Sequence, residues 1–144
     1  MLAQIDFGKF YVFYTSKLSN KCKDISRSER ILSMTGAYDN RDGLIWMDGK
    51  LIHWKSANIH ILTHAMHYAS SVFEGERCYN GKIFKSKEHS ERLKNSALSI
   101  DFEIPYSIEE IEIAKKDVLK ANKLNEAYVR AIAWRGAGED MGVA

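Results

Sequence analysis

The chain has 144 residues, 45% of them hydrophobic, enough for one domain with a real core and too few for two large ones. Its 21 Lys and Arg against 19 Asp and Glu leave a formal charge of +2 at pH 7, which argues against a surface built for nucleic acid or anionic lipid. No apolar run reaches the ~18 residues that would span a bilayer, and Cys22 and Cys78 match no metal or redox spacing, so the expectation is a cytoplasmic protein with free thiols.

Residues 1–43 read as an atypical leader. Phe10-Tyr11-Val12-Phe13-Tyr14 is strand-like, but no basic region leads it and no cleavage pattern follows it, so it is not a signal peptide. A polar stretch from Ser16 to Ser28 and a short predicted helix around Glu29 to Met34 complete the leader. The domain itself is placed at residues 44–144. It opens with Leu44–Met47 and Lys50–Trp54 flanking Asp48-Gly49, a hairpin signal because glycine accepts the positive φ of a tight turn. Ile59 to Thr63 looks extended. His64 to Phe73 has helical spacing, with Gly75 as the expected stop, and Arg77-Cys78-Tyr79 leads through Asn80-Gly81 to a returning strand at Ile83-Phe84.

Ser86 is the expected cap of a helix whose Leu93, Ala97 and Ile100 share an apolar face. Pro105 breaks the pattern, and Ser107-x-x-Glu110 forms a capping box for a second helix with Ile108, Ile111, Ala114 or Lys115, Val118 and Leu119 on its period. Ala127 to Trp134 alternates, with Tyr128, Arg130, Ile132 and Trp134 on one face, and Gly136-Ala137-Gly138 starts a loop. The order β-β-α-β-β-α-α-β implies an α/β protein of the α+β type, a mainly antiparallel sheet with helices packed on it.

Chemistry is concentrated at few positions. Arg92 stands one residue before the apolar Leu93, at the boundary of the buried face, where a guanidinium suits an anion; the plainer alternative is a surface arginine paired with Glu88 or Glu91. Tyr128 and Arg130 project from one strand face and can converge on a carboxylate, or can be an ordinary half-exposed strand face. His60, His64 and His67 would share a face on one continuous helix and offer metal ligands. The extended look of Ile59 to Thr63 argues against that helix, and no metal is expected. No nucleophile motif, P-loop or dinucleotide fingerprint is present.

Several stretches together carry a family resemblance: Trp46-Met47-Asp48-Gly49-Lys50, His64 through Tyr79, Glu88 to Leu93, Ile104-Pro105-Tyr106, Tyr128-Val129-Arg130 and Gly138 to Val143. In this order they resemble the small N-terminal domain of the fold-type IV aminotransferases that use pyridoxal phosphate, and within them the branched-chain amino acid aminotransferases. The resemblance implies transfer of an amino group between leucine, isoleucine or valine and 2-oxoglutarate. It assigns Arg92 to the cofactor phosphate and Tyr68, Phe73, Tyr128 and Arg130 to the substrate pocket, with Arg77 a weaker match on the same grounds. The partners it implies are an amino acid, a 2-oxo acid, and a second copy or a chain carrying the C-terminal domain.

That family needs a lysine holding the cofactor as a Schiff base, and it lies in the larger C-terminal domain, so the expectation is a chain inactive alone. Its own lysines are read as lying on polar faces and turns, with no catalytic residue among them. Cofactor binding is expected only on completion by that domain; the alternative is a non-catalytic remnant or interaction module. Glu76 departs from the family's apolar residue after the glycine and would cost ~1–3 kcal/mol if covered and unpaired.

Overall fold

The computed structural model describes residues 9–15 and 40–136. Strands β1 (Lys9–Thr15), β2 (Leu44–Met47), β3 (Lys50–His53), β4 (Ser71–Tyr79), β5 (Lys82–Ile83) and β6 (Ala127–Trp134) form one sheet in the order β3-β2-β1-β6-β4-β5, every pairing antiparallel. Helices α1 (His64–Tyr68), α2 (Ser86–Leu98) and α3 (Ile108–Ala121) complete the described residues, with a 3-10 turn at Trp54–Ser56. The fold class expected from the sequence is the one observed.

Both hairpin turns use the backbone conformation their residues favour: Asp48 and Gly49 have φ of 44° and 92°, Asn80 and Gly81 of 50° and 75°. Asp48 also fastens its turn to the neighbouring strand. Its carboxylate accepts the Phe10 N–H at 3.1 Å, and its own N–H donates to the Phe10 carbonyl at 3.1 Å. Strand β1, counted with the leader in the sequence reading, lies in the middle of the sheet, paired with β6 along its whole length and with β2 on its other edge. The helix expected around Glu29 to Met34 and the loop from Ala137 onward lie outside the described residues.

The helix expected over His64 to Phe73 is shorter. It ends at Tyr68, Ala69 turns it with φ 55°, and Ser71 begins β4, so Phe73 and Gly75 are mid-strand and Gly75 ends no helix. Pairing of Ser71 to Cys78 with β6, helped by β-branched Val72, outweighs the weak helical preference of this run.

Ser86 is also not a helix cap. Lys85 holds the cap position of α2 with φ 49° and no side-chain capping bond, while the Ser86 hydroxyl turns inward. Leu93 and Ala97 are buried as expected, but Ile100 lies past the helix end and is exposed. In α3 the capping box forms: Glu110 N–H donates to Ser107 Oγ at 3.2 Å, and Ser107 N–H donates to the Glu110 carboxylate at 2.7 Å, an arrangement that contributes about 1 kcal/mol. Asn122, just past α3, accepts the Leu44 N–H at 2.8 Å and donates to the Leu44 carbonyl at 2.9 Å, tying the helix end to β2.

Both long helices cover one face of the sheet. The small Ala127, Ala131 and Ala133 of β6 lie under them, beside Phe10 and Val12 of β1, and Leu93, Ile111 and Val118 fill the space above. This packing fixes which side chains of β4 and β6 face the helices and which stay on the other side.

Candidate functional site

Alternation along β4 and β6 sorts the site residues. Phe73, Gly75 and Arg77 stand opposite Ile132, Arg130 and Tyr128, on the face away from the helices, whereas Glu74, Glu76 and Cys78 point toward them. On the face away from the helices the Arg130 guanidinium carbon lies 4.1 Å above the Phe73 ring centre, and Arg130 Nη2 donates to the Tyr128 hydroxyl at 3.4 Å. The Tyr128 ring crosses over Gly75, where a Cβ would sit 2.6 Å from Tyr128 Cζ and overlap the hydroxyl. Glycine is thus required here by close approach. Phe73 is 55% exposed, so the face offers a guanidinium and a phenol beside an aromatic surface, suited to a carboxylate attached to an apolar group. Arg77 lies farther along it, 5.3 Å from the Tyr79 ring centre. Tyr68, set by α1, packs on His64 with ring centres 4.5 Å apart and is largely exposed.

Arg92 lies elsewhere, on α2, and its partner is neither Glu88 nor Glu91. Its Nε and Nη2 donate to the two oxygens of Glu74 at 2.5 and 2.6 Å, and His89 Nδ1 is 2.7 Å from Glu74 Oε2. Glu74 is buried, while the Arg92 side chain is 66% exposed. Lys85, Glu88, His89 and Arg92 line a shallow open depression beside it. Burial works to raise the Glu74 pKa, but the bonds from Arg92 and His89 outweigh it and hold the carboxyl below its ordinary range. Because folding lowers this pKa, the stability it contributes is complete above the unfolded-state value and is lost as pH falls through the lowered folded value. Glu74→Gln should therefore flatten the acid limb of stability against pH, measured by denaturant unfolding from neutral pH down through the carboxylate range.

Lys115 corrects the expectation that the lysines lie on polar faces and turns. It is fully buried, and its Nζ donates to Glu76 at 2.9 and 3.1 Å, to Ser90 Oγ at 2.8 Å and to the Ser86 carbonyl at 3.0 Å, and lies 2.8 Å from Glu112 Oε1. Glu76, 1% exposed, is therefore covered but paired. Burial pushes its carboxyl up against the pull of Lys115. Glu112 feels the same push, but the bonds from Lys115, Ser90 and Ser86 bring it below the ordinary range. An ammonium with all its donors engaged in this way is no free amine.

The three histidines have separate local partners. His60 Nδ1 accepts the Leu62 N–H at 3.1 Å, His64 Nδ1 is 2.7 Å from Ser70 Oγ, and His67 Nε2 donates to the Ile61 carbonyl at 3.0 Å. Among the described residues no group of three or more His, Cys, Asp or Glu is arranged to hold a metal ion. Cys78 is buried, burial pushes its thiol up, and its Sγ donates to the Asn125 carbonyl at 3.5 Å. Sequence reasoning missed Glu74, His89 and Lys115 as interacting groups. The available signal was Glu74-x-Glu76, two carboxylates on the strand face that meets a helix bearing His89 and Arg92.

The model of the amino-transferase class IV family matches residues 71–142. The chain belongs to that family, and its sheet and helices are those of the fold-type IV aminotransferases. A probable branched-chain-amino-acid aminotransferase of Rickettsia bellii is 46% identical over 104 residues, covering 72% of this chain and 36% of that protein. The crystal structure of the Escherichia coli branched-chain amino acid aminotransferase aligns with a TM-score of 0.68 at 38% identity, over 72% of this chain and 35% of that one. The T.th. branched-chain amino acid aminotransferase complexed with N-(5'-phosphopyridoxyl)-L-glutamate aligns with a TM-score of 0.67 at 43% identity, over 72% and 36%. The chain thus spans about a third of the length of the relatives it matches. No helix among the described residues is long and apolar enough to cross a membrane.

Proposed function

We propose that this chain forms the small-domain side of a cytoplasmic branched-chain amino acid aminotransferase, acting on leucine, isoleucine or valine and 2-oxoglutarate. The observation that carries the reading is the face of β4 and β6 away from the helices, where Arg130 is stacked on Phe73 beside the Tyr128 hydroxyl with Gly75 leaving them room. Arg130 and Tyr128 receive the substrate carboxylate, Phe73 and Tyr68 pack against its branched side chain, and Arg77 extends the cationic face. Arg92, with Lys85 and His89 beside it, has the donor chemistry to hold the phosphate of pyridoxal phosphate. When bound, that cofactor supplies the electron sink that makes the substrate Cα proton acidic.

The amine that carries the cofactor comes, in this reading, from residues outside these 144, in a longer polypeptide or a partner chain. Support comes from Lys115, the buried lysine among the described residues, whose donors are engaged. In an assembly completed by a lysine-bearing domain, Arg92→Gln should weaken retention of pyridoxal phosphate, and Arg130→Gln should raise KM for leucine, each by roughly ten- to a hundredfold, the value of a hydrogen bond to a charged group. Unchanged retention and KM would contradict the assignment. A second reading, an interaction module, is favoured by the exposed Ile59, Ile61, Leu62 and Met66 before and within α1. It predicts a partner-bound chain whose function survives Arg92→Gln and Arg130→Gln together.

A further inference from the structure

On the reading that Arg92 holds a phosphate, we propose that Glu74 and His89 are positioning residues that present the Arg92 guanidinium to it. Arg92 has little else to hold it: its side chain is 66% exposed, and α2 docks on the sheet by burying only Ser90, Leu93 and Ala97. Glu74 takes the Nε and Nη2 donors side-on, which orients the plane of the guanidinium and leaves the Nη1 donors directed away from the carboxylate, while His89 Nδ1 lies 3.4 Å from Nη2. That outer edge is the one an incoming phosphate can use. A carboxylate only accepts, so the His89 nitrogen 2.7 Å from Glu74 Oε2 carries the proton. His89 therefore clamps the Glu74 oxygen that also meets Nη2, and its side chain lines the depression together with Lys85, Glu88 and Arg92.

The burial asymmetry supports the direction of this arrangement. Glu74 is anchored in the sheet at 5% side-chain exposure and Arg92 is not, so the carboxylate sets the position of the cation. A charged group two positions along, Glu76, is occupied by Lys115 and cannot substitute for it.

Charge alone and positioning predict opposite signs. Glu74→Gln removes a negative charge next to the anion site, which by Coulomb attraction should tighten phosphate binding; if Glu74 positions Arg92, the same change should weaken it. The probe is pyridoxine 5′-phosphate, which has no aldehyde to react with lysines, with pyridoxine as the phosphate-free control, titrated by calorimetry into the cofactor-free assembly completed by a lysine-bearing domain. The expected result is about tenfold weaker binding of the phosphate ester to Glu74→Gln and to Arg92→Gln, no further loss in the double variant, and an unchanged response to pyridoxine. Equal or tighter binding to Glu74→Gln, with Arg92→Gln weakened, would overturn the positioning role and leave the phosphate role of Arg92 standing. Wild-type binding by Arg92→Gln would remove both. Should Glu74→Gln fail to fold, the wild-type chain still decides: the Arg92 Nε–H should exchange with water more slowly than that of Arg77, and equal exchange rates would overturn the proposal.

Discussion

Lys115→Met should destabilise the domain by about 3–5 kcal/mol, the cost of stranding a buried counter-charge. That is a large share of the ~5–15 kcal/mol that holds a typical domain together. The side chain of Lys115 is fully buried between Glu76, itself covered, and Glu112, 17% exposed. Methionine fills nearly the same volume, so the loss measures charge and hydrogen bonding and not a cavity. The partners are not equivalent. Glu76→Gln keeps one of the two oxygens that accept from Nζ and leaves Glu112 as counter-ion, so this change should cost less than Lys115→Met, about 1–3 kcal/mol for the charge-assisted bond it loses. Glu76→Leu combined with Lys115→Met should be more stable than Lys115→Met alone, because it removes the stranded carboxylate. Urea unfolding of the four proteins checks the ranking. Equal effects of Lys115→Met and Glu76→Gln would contradict it.

Phe10→Ala should cost about 3–5 kcal/mol and lower Tm by roughly 10–20 °C. Phe10 has no exposed surface and meets Trp46 edge-on at 5.4 Å between ring centres, with Tyr106 at 5.8 Å. Its backbone is also held by Asp48 from the β2–β3 turn. Strand β1 thus joins the β2–β3 hairpin to β6, and a protein beginning at residue 44 would leave both with open edges. Thermal unfolding of Phe10→Ala, compared with that shortened protein, measures how far the domain depends on this strand. A change of under about 1 kcal/mol for Phe10→Ala would show that the strand is peripheral.

Local chemistry made much of this architecture readable. Asp48-Gly49, Asn80-Gly81 and Ser107-x-x-Glu110 each encode their conformation within four residues, and the alternation from Ala127 to Trp134 marks a strand buried on one face. His64 to Phe73 misled because its residues suit helix and strand alike, and the choice is made by pairing with β6, distant in sequence. The arginine and aromatic positions of the face away from the helices were named in the sequence through resemblance, and the structure gathers Phe73, Arg77, Tyr128 and Arg130 on one side of the sheet. The ion pairs were not readable in the same way. Ala114 satisfies the helical period as well as Lys115 does, and the bond between Glu74 and Arg92 depends on which helix covers β4.

The central proposal, that these residues build the pocket wall while the reacting amine comes from elsewhere, is tested most directly by the visible spectrum of the purified 144-residue chain after incubation with pyridoxal phosphate and desalting. The account predicts that no absorbance band of lysine-bound cofactor survives. A stoichiometric band that persists, and that disappears when one lysine of this chain is replaced, would contradict it.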